Sequence, residues 1–165
     1  MKRFIVAVLL MLALPTMGQD KKNQTEFAQL QKRLTGVWQQ CLPMVSQNGF
    51  LQLRFAPIFK ILHSDGTFNN MLLANSIAPA AFSATGKWYV ASDSTFVEHL
   101  STLASEHETE GKDNELTFNL TTDDNFLDIS DSMPGKSRRS REIWIRVQKG
   151  NTKDVAEKYL QNFKQ

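Results

Sequence analysis

Cysteine is nearly absent from this chain. Its 165 residues include one, Cys41, which excludes an intrachain disulfide framework and any zinc site built on several thiolates. An excess of one charge sign is missing too, and a formal net charge of +2 argues against a dedicated nucleic-acid binder. There is no Gly-x-Ser-x-Gly elbow, no Gly-x-Gly-x-x-Gly turn, no P-loop and no His-Glu-x-x-His. His63, His99 and His107 share no metal-ligand spacing, and Asp123, Asp124 and Asp128 lack the spacing and central glycine of a calcium loop. These absences lead us to expect no enzyme, no catalytic residue, no metal and no cofactor.

Long hydrophobic runs are also lacking. The longest, Phe4 to Leu14, covers eleven residues. As a helix it would span about 16 Å at ~1.5 Å per residue, against about 30 Å for a bilayer core. Lys2 and Arg3 precede it, Pro15 ends it, and Thr16-Met17-Gly18 puts small residues where a signal peptidase cuts. Residues 1–18 therefore read as a cleaved export signal. No cysteine follows the cut, so no lipid anchor of the lipobox type is expected. Without Lys2 and Arg3 the chain carries 17 basic and 17 acidic residues and is formally neutral. The mature protein is expected in the periplasm or outside the cell, as a monomer that does not span a membrane and binds no nucleic acid.

What is present suits one folded domain. A hydrophobic fraction of 41%, with 11 Phe, 3 Trp and 2 Tyr, excludes a wholly disordered chain. Phe27, Leu30 and Leu34 fall at helical spacing and predict a short helix over 24–34, with Thr25 as a candidate cap, in an extension covering 19–33. From Leu34 the pattern changes to short apolar runs between turn signals. It predicts strands over 37–42, 50–55, 59–63 and 67–73, with Pro57 marking a bend or an edge and Ser64-Asp65-Gly66 a hairpin turn. Residues 74–85 read as a loop. Hairpins follow over 87–91 with 95–100 and over 115–120 with 126–130, then a last strand over 142–147. Val155, Tyr159 and Phe163 predict a C-terminal helix within 151–165. Thr35-Gly36-Val37-Trp38 is echoed by Thr85-Gly86-Lys87-Trp88. Strands joined in sequence order by short turns point to an antiparallel up-and-down barrel over 34–150, which leaves no sheet edge exposed.

Leu34-Thr35-Gly36-Val37-Trp38, a Gly-x-Trp on the first strand after a short helix, resembles the signature of the lipocalins and the wider calycin superfamily. The resemblance implies a lipocalin-like β-barrel with Trp38 plugging one end and a basic residue of the last strand, Arg146, packed across its ring. Three segments together resemble a family of secreted lipocalin-like proteins of unknown function from Bacteroides-type, Gram-negative bacteria. They are residues 34–41, residues 59–68, and residues 111–118 with 142–147. The second lipocalin motif, Thr-Asp-Tyr, and the usual disulfide are absent. Asp131-Ser132-Met133 resembles the O-glycosylation acceptor of such bacteria, which makes Ser132 a candidate modified residue.

Two further groups of residues carry functional readings. Trp88 and Val90 share one strand face, as do Phe118 and Leu120, and Ile143 and Ile145. In a small barrel such side chains either fill the interior or line a cavity for a small apolar or amphipathic ligand. Lys136, Arg138, Arg139 and Arg141 form a basic loop that follows an acidic stretch. They either dock an envelope protein or glycan, or simply form a solvated loop with complementary cross-strand charge. The expected protein is thus an exported, non-enzymatic binder using its barrel interior, with an interaction module using its outer surface as the alternative. Cys41 is expected as a buried free thiol.

Overall fold

The computed structural model describes residues 16–73, 79–103, 111–131 and 141–148. One helix, α1 (Thr16–Leu34), leads into eight strands. These are β1 (Gly36–Val45), β2 (Leu51–Leu62), β3 (Thr67–Leu72), β4 (Ala81–Val90), β5 (Thr95–Leu103), β6 (Asp113–Leu120), β7 (Phe126–Asp131) and β8 (Arg141–Arg146). Each strand pairs antiparallel with the next, and β8 pairs back onto β1, so the sheet closes into an up-and-down barrel of the lipocalin-like type. Closure gives every strand two partners and removes the edges on which other chains could template. The proposed C-terminal helix within 151–165 lies outside the described residues.

The two ends of the barrel differ. At the lower end the strands turn tightly, as where His63 N–H donates to Thr67 O at 2.9 Å and Ala91 N–H to Thr95 O at 2.9 Å. Helix α1 also arrives there. Leu34 is fully buried beneath the barrel, with Phe27 and Leu30 half-buried against the same core. The helix stops at Thr35, whose N–H and hydroxyl both donate to Gln31 O. Arg33 then reaches the β6–β7 turn, its Nη2 lying 2.6 Å from Asp124 Oδ1. Strands β3, β5 and β7 run toward the upper end.

Several expected boundaries move. Thr25 is not a cap, because α1 runs through it from Thr16; the Gln- and Lys-containing sequence before it also favours helix. The strands expected over 50–55 and 59–63 are one strand, β2. Pro57 sits in it at a bulge where β1 places Gln40 alone and β2 places Ala56, Pro57 and Ile58. A bulge leaves residues out of the ladder, so a residue with no N–H is tolerated there. The loop expected over 74–85 ends earlier, since β4 begins at Ala81 and Ser83 bulges opposite Asn70–Met71. That segment is poor in large apolar residues, which hides its strand character from a reading based on periodicity.

Strand alternation sets two faces. Trp38, Leu62, Phe68, Trp88, Phe96, Phe118 and Leu127 point inward and belong to one buried cluster with Leu34. Trp88 meets Phe96 edge-on, with ring centroids 6.3 Å apart, and Phe96 meets Phe118 at 5.7 Å. These aromatic side chains fill the lower half of the barrel. Cys41, Phe126, Ile143 and Ile145 form a second buried cluster. It lies on the outward face of β1, β7 and β8, because their strand neighbours Gln40, Leu127 and Trp144 point inward.

Candidate functional site

The Gly-x-Trp segment closes the lower end in a specific way. Trp38 is fully buried and its indole N–H donates to Leu34 O at 2.9 Å. The Arg146 guanidinium lies 4.1 Å from the ring centroid of Trp38. The same guanidinium donates through Nε to Asp124 O at 2.6 Å, through Nη1 to Thr35 O at 2.8 Å, and through Nη2 to Arg33 O. One side chain thus ties the end of α1, the start of β1 and the β6–β7 turn together. Gly36 is required beside it: its φ is +148°, and a Cβ there would stand 2.5 Å from Arg146 Nη1. The echoed Gly86 has a different cause, since a Cβ there would meet His99 O of β5 at 2.0 Å. Trp88 resembles Trp38 in donating its indole N–H to a carbonyl, His63 O, at 3.1 Å.

Above this plug the interior changes character. On six of the strands, two residues from a buried apolar side chain, a polar one points inward: Gln40 after Trp38, Lys60 before Leu62, Asn70 after Phe68, Glu98 after Phe96. Asn114 precedes Leu116 and Glu142 precedes Trp144 in the same manner. Together they surround a cavity of about 270 Å³ in the upper half of the barrel. Ile58, Leu100, Leu116, Ile129 and the Trp144 ring supply its apolar walls. Leu42, Met44, Leu72 and Phe82, on the upper ends of β1, β3 and β4, are exposed.

The centre of this polar layer is an ion pair. Lys60 and Glu98 are each 3% exposed, and Lys60 Nζ donates to Glu98 Oε1. Two aromatic rings flank the ammonium, with the centroids of Phe68 and Trp144 both 5.6 Å from Nζ. Burying two charges carries a desolvation cost of several kcal/mol per ion, which the pair offsets only by staying together. Glu142 is half-buried, and its Oε2 accepts from Trp144 Nε1 at 3.1 Å. Among the described residues it has no cationic partner. The side-chain carbonyl oxygens of Asn70 and Asn114 are buried and accept no hydrogen bond. An orphaned buried acceptor costs about 1–3 kcal/mol, and neither oxygen offers accessible surface to the cavity.

The residues expected to line a cavity are distributed differently. Trp88, Val90, Phe118 and Leu120 do point inward, but they belong to the packed lower core. Ile143 and Ile145 are a correction. They face outward with Cys41, because the β1–β8 register puts Trp144 opposite the inward Gln40. Arg146 lies across the ring of Trp38. Arg141 is exposed on the outer face, where Nη2 pairs with Asp128 Oδ2 at 2.5 Å. Lys136, Arg138, Arg139 and Ser132 lie outside the described residues. Asp123 holds its turn, accepting from Thr121 Oγ1 at 2.7 Å and Asn125 Nδ2 at 2.9 Å. Burial pushes the Cys41 thiol up to about 11.

The polar layer was absent from the expected site, yet the sequence carries its signal. In Ile58-Phe59-Lys60-Ile61-Leu62 and Phe96-Val97-Glu98-His99-Leu100, a charge stands at an inward position between apolar residues two away on either side. Such a residue is either paired within the barrel or breaks the strand pattern. Two of opposite sign invite pairing.

A closed eight-stranded antiparallel barrel, sealed at one end by an Arg–Trp stack and hollow with a polar lining in its other half, fits a lipocalin-like fold. The chain belongs to the family described as domain of unknown function DUF4488, whose model matches residues 33–155. No curated protein matches it. No helix among the described residues is long and apolar enough to cross a membrane.

Proposed function

We propose that the protein is an exported, lipocalin-like binding protein that holds a small amphipathic ligand in the upper half of its barrel. The observation that carries this reading is the cavity of about 270 Å³, whose wall sets Leu100, Leu116 and Trp144 beside Gln40, Asn114 and Glu142. Ligand sites combine apolar walls with a few convergent polar groups in this way. The exposed apolar side chains at the upper ends of β1, β3 and β4 suit entry of a molecule with an apolar part. Kinship with the calycins is supported by Gly36, Trp38 and Arg146 acting as one closure. Export is supported by the basic, apolar and small-residue order of residues 1–18.

Native mass spectrometry of the protein purified from its own source tests the reading. A mass excess over the denatured chain that disappears on unfolding is expected. A native mass equal to the denatured mass, in protein isolated without dialysis, would overturn ligand carriage.

A further inference from the structure

We propose that the upper rim of β1–β4 is the interface of a homodimer in which two copies meet mouth to mouth, a departure from the monomer that the sequence led us to expect. The proposal stands whether or not the cavity carries a guest. Pairing with β8 ends at Cys41 on β1. The β2–β3 ladder ends at Ile58 opposite Leu72, with one further bond from Leu73 N–H to Pro57 O at 2.7 Å. Among the described residues, Leu42–Val45 and Leu51–Arg54 then pair only with each other. At ~3.3 Å per residue, Leu42 to Val45 lifts this ribbon about 13 Å above the closed wall. Its exposed apolar side chains include Leu42 and Met44 on the inward face, Val45 on the outward face and Phe50 beyond the turn. Leu72 and Phe82, at the upper ends of the neighbouring β3 and β4, are exposed as well.

Three properties select a second copy as the occupant. The six side chains expose on the order of 600 Å² per copy, about what each partner gives to a small stable interface of ~1,200 Å² in total. Arg54 is the one charged residue between Leu42 and Phe59, so the rim specifies no charged partner and two copies meet on it with little like-charge repulsion. The step from the raised ribbon down to the ends of β3 and β4 is self-complementary. Across a two-fold axis, Val45 and Phe50 of each copy lie on Leu72 and Phe82 of the other. Other occupants fit less well. Adding a partner strand to the ribbon's free edges is hindered by Pro43 and Pro57, which lack the N–H that a ladder needs. A bilayer would first meet the polar turn Ser46-Gln47-Asn48-Gly49.

Sedimentation velocity over a concentration series tests this on protein purified from its own source. A monomer–dimer equilibrium is expected, with a dissociation constant in the micromolar range that suits an interface at the small end. Phe50→Asp and Phe82→Asp should each raise that constant at least about tenfold. Tyr89→Asp, at an exposed aromatic near the lower end, should leave it unchanged. If an aspartate variant fails to fold, cross-linking serves instead. Phe50→Cys mixed with Phe82→Cys should be joined by a short bis-maleimide, and Phe50→Cys mixed with Tyr89→Cys should not. A monomer mass at every concentration, a dimer indifferent to both aspartate variants, or joining through position 89 instead of 82 would overturn the proposal. So would a monomeric protein whose binding to phosphatidylcholine vesicles is lost in Phe50→Asp, because the rim would then belong to lipid.

Discussion

The buried pair at the middle of the barrel makes the sharpest demand on stability. Lys60→Met keeps most of the stem's length and removes the ammonium, which strands Glu98 at 3% exposure without its partner. Breaking one half of a buried pair costs about 3–5 kcal/mol, since the remaining charge keeps its desolvation penalty and loses the attraction. The cation–π contacts to Phe68 and Trp144 go with it. In a domain of this size that loss lowers the melting temperature by roughly 10–15 °C. Glu98→Leu should cost a similar amount for the mirror-image reason. The double variant removes both charges and is expected within about 1 kcal/mol of the natural protein, or above it. Urea unfolding followed by tryptophan fluorescence reads all four proteins, with equal m-values as the check that one transition is compared. If each single change costs less than about 1 kcal/mol, the pair is not buried as described. If the double variant loses the sum of the two singles, the charges are not coupled.

Three further outcomes follow from the lower end and the outer cluster. Trp38→Ala should destabilise by about 3–5 kcal/mol, the range for a large core aromatic, and an unmoved melting curve would refute its place in the plug. Arg146→Lys keeps the charge but cannot span Asp124 O, Thr35 O and Arg33 O at once, and should cost about 2–4 kcal/mol in the same assay. Cys41 should resist a thiol reagent at neutral pH in the folded protein and react on unfolding. Its thiol is raised to about 11 in the fold, so its contribution is complete below the unfolded value of about 8.5 and falls as pH rises toward 11. The natural protein should lose stability over that window, and Cys41→Ala should lose less.

The architecture was largely legible in the sequence because alternation and turn residues speak locally. Phe27, Leu30 and Leu34 announce their helix, and seven of the hairpin and strand signals translate directly into the ladder order. Two features were illegible for stated reasons. A bulge at Pro57 resembles a strand break, since both interrupt the ladder N–H. The start of β4 is built on Ala81, Ser83 and Ala84, whose side chains give no periodic contrast. The site was harder. Lys60 and Glu98 lie 38 residues apart, and only barrel closure and register bring them together. Ile143 and Ile145 alternate as cleanly as an inward pair would. Which face is inward depends on the inward Gln40 across the ladder, a fact of tertiary structure.

The division of the barrel interior has an evolutionary consequence. On the proposed cavity-binding reading, fold and selectivity are carried by different storeys, so the upper one is free to be rewritten. Gln40, Asn70, Asn114 and Glu142 each stand on a different strand, and replacing any of them alters one wall while the aromatic foundation stays in place. A lineage can therefore change the lining of the cavity by single steps. Lys60 and Glu98 are the exception. Neither tolerates loss of the other, so they are expected to persist or to disappear as a couple.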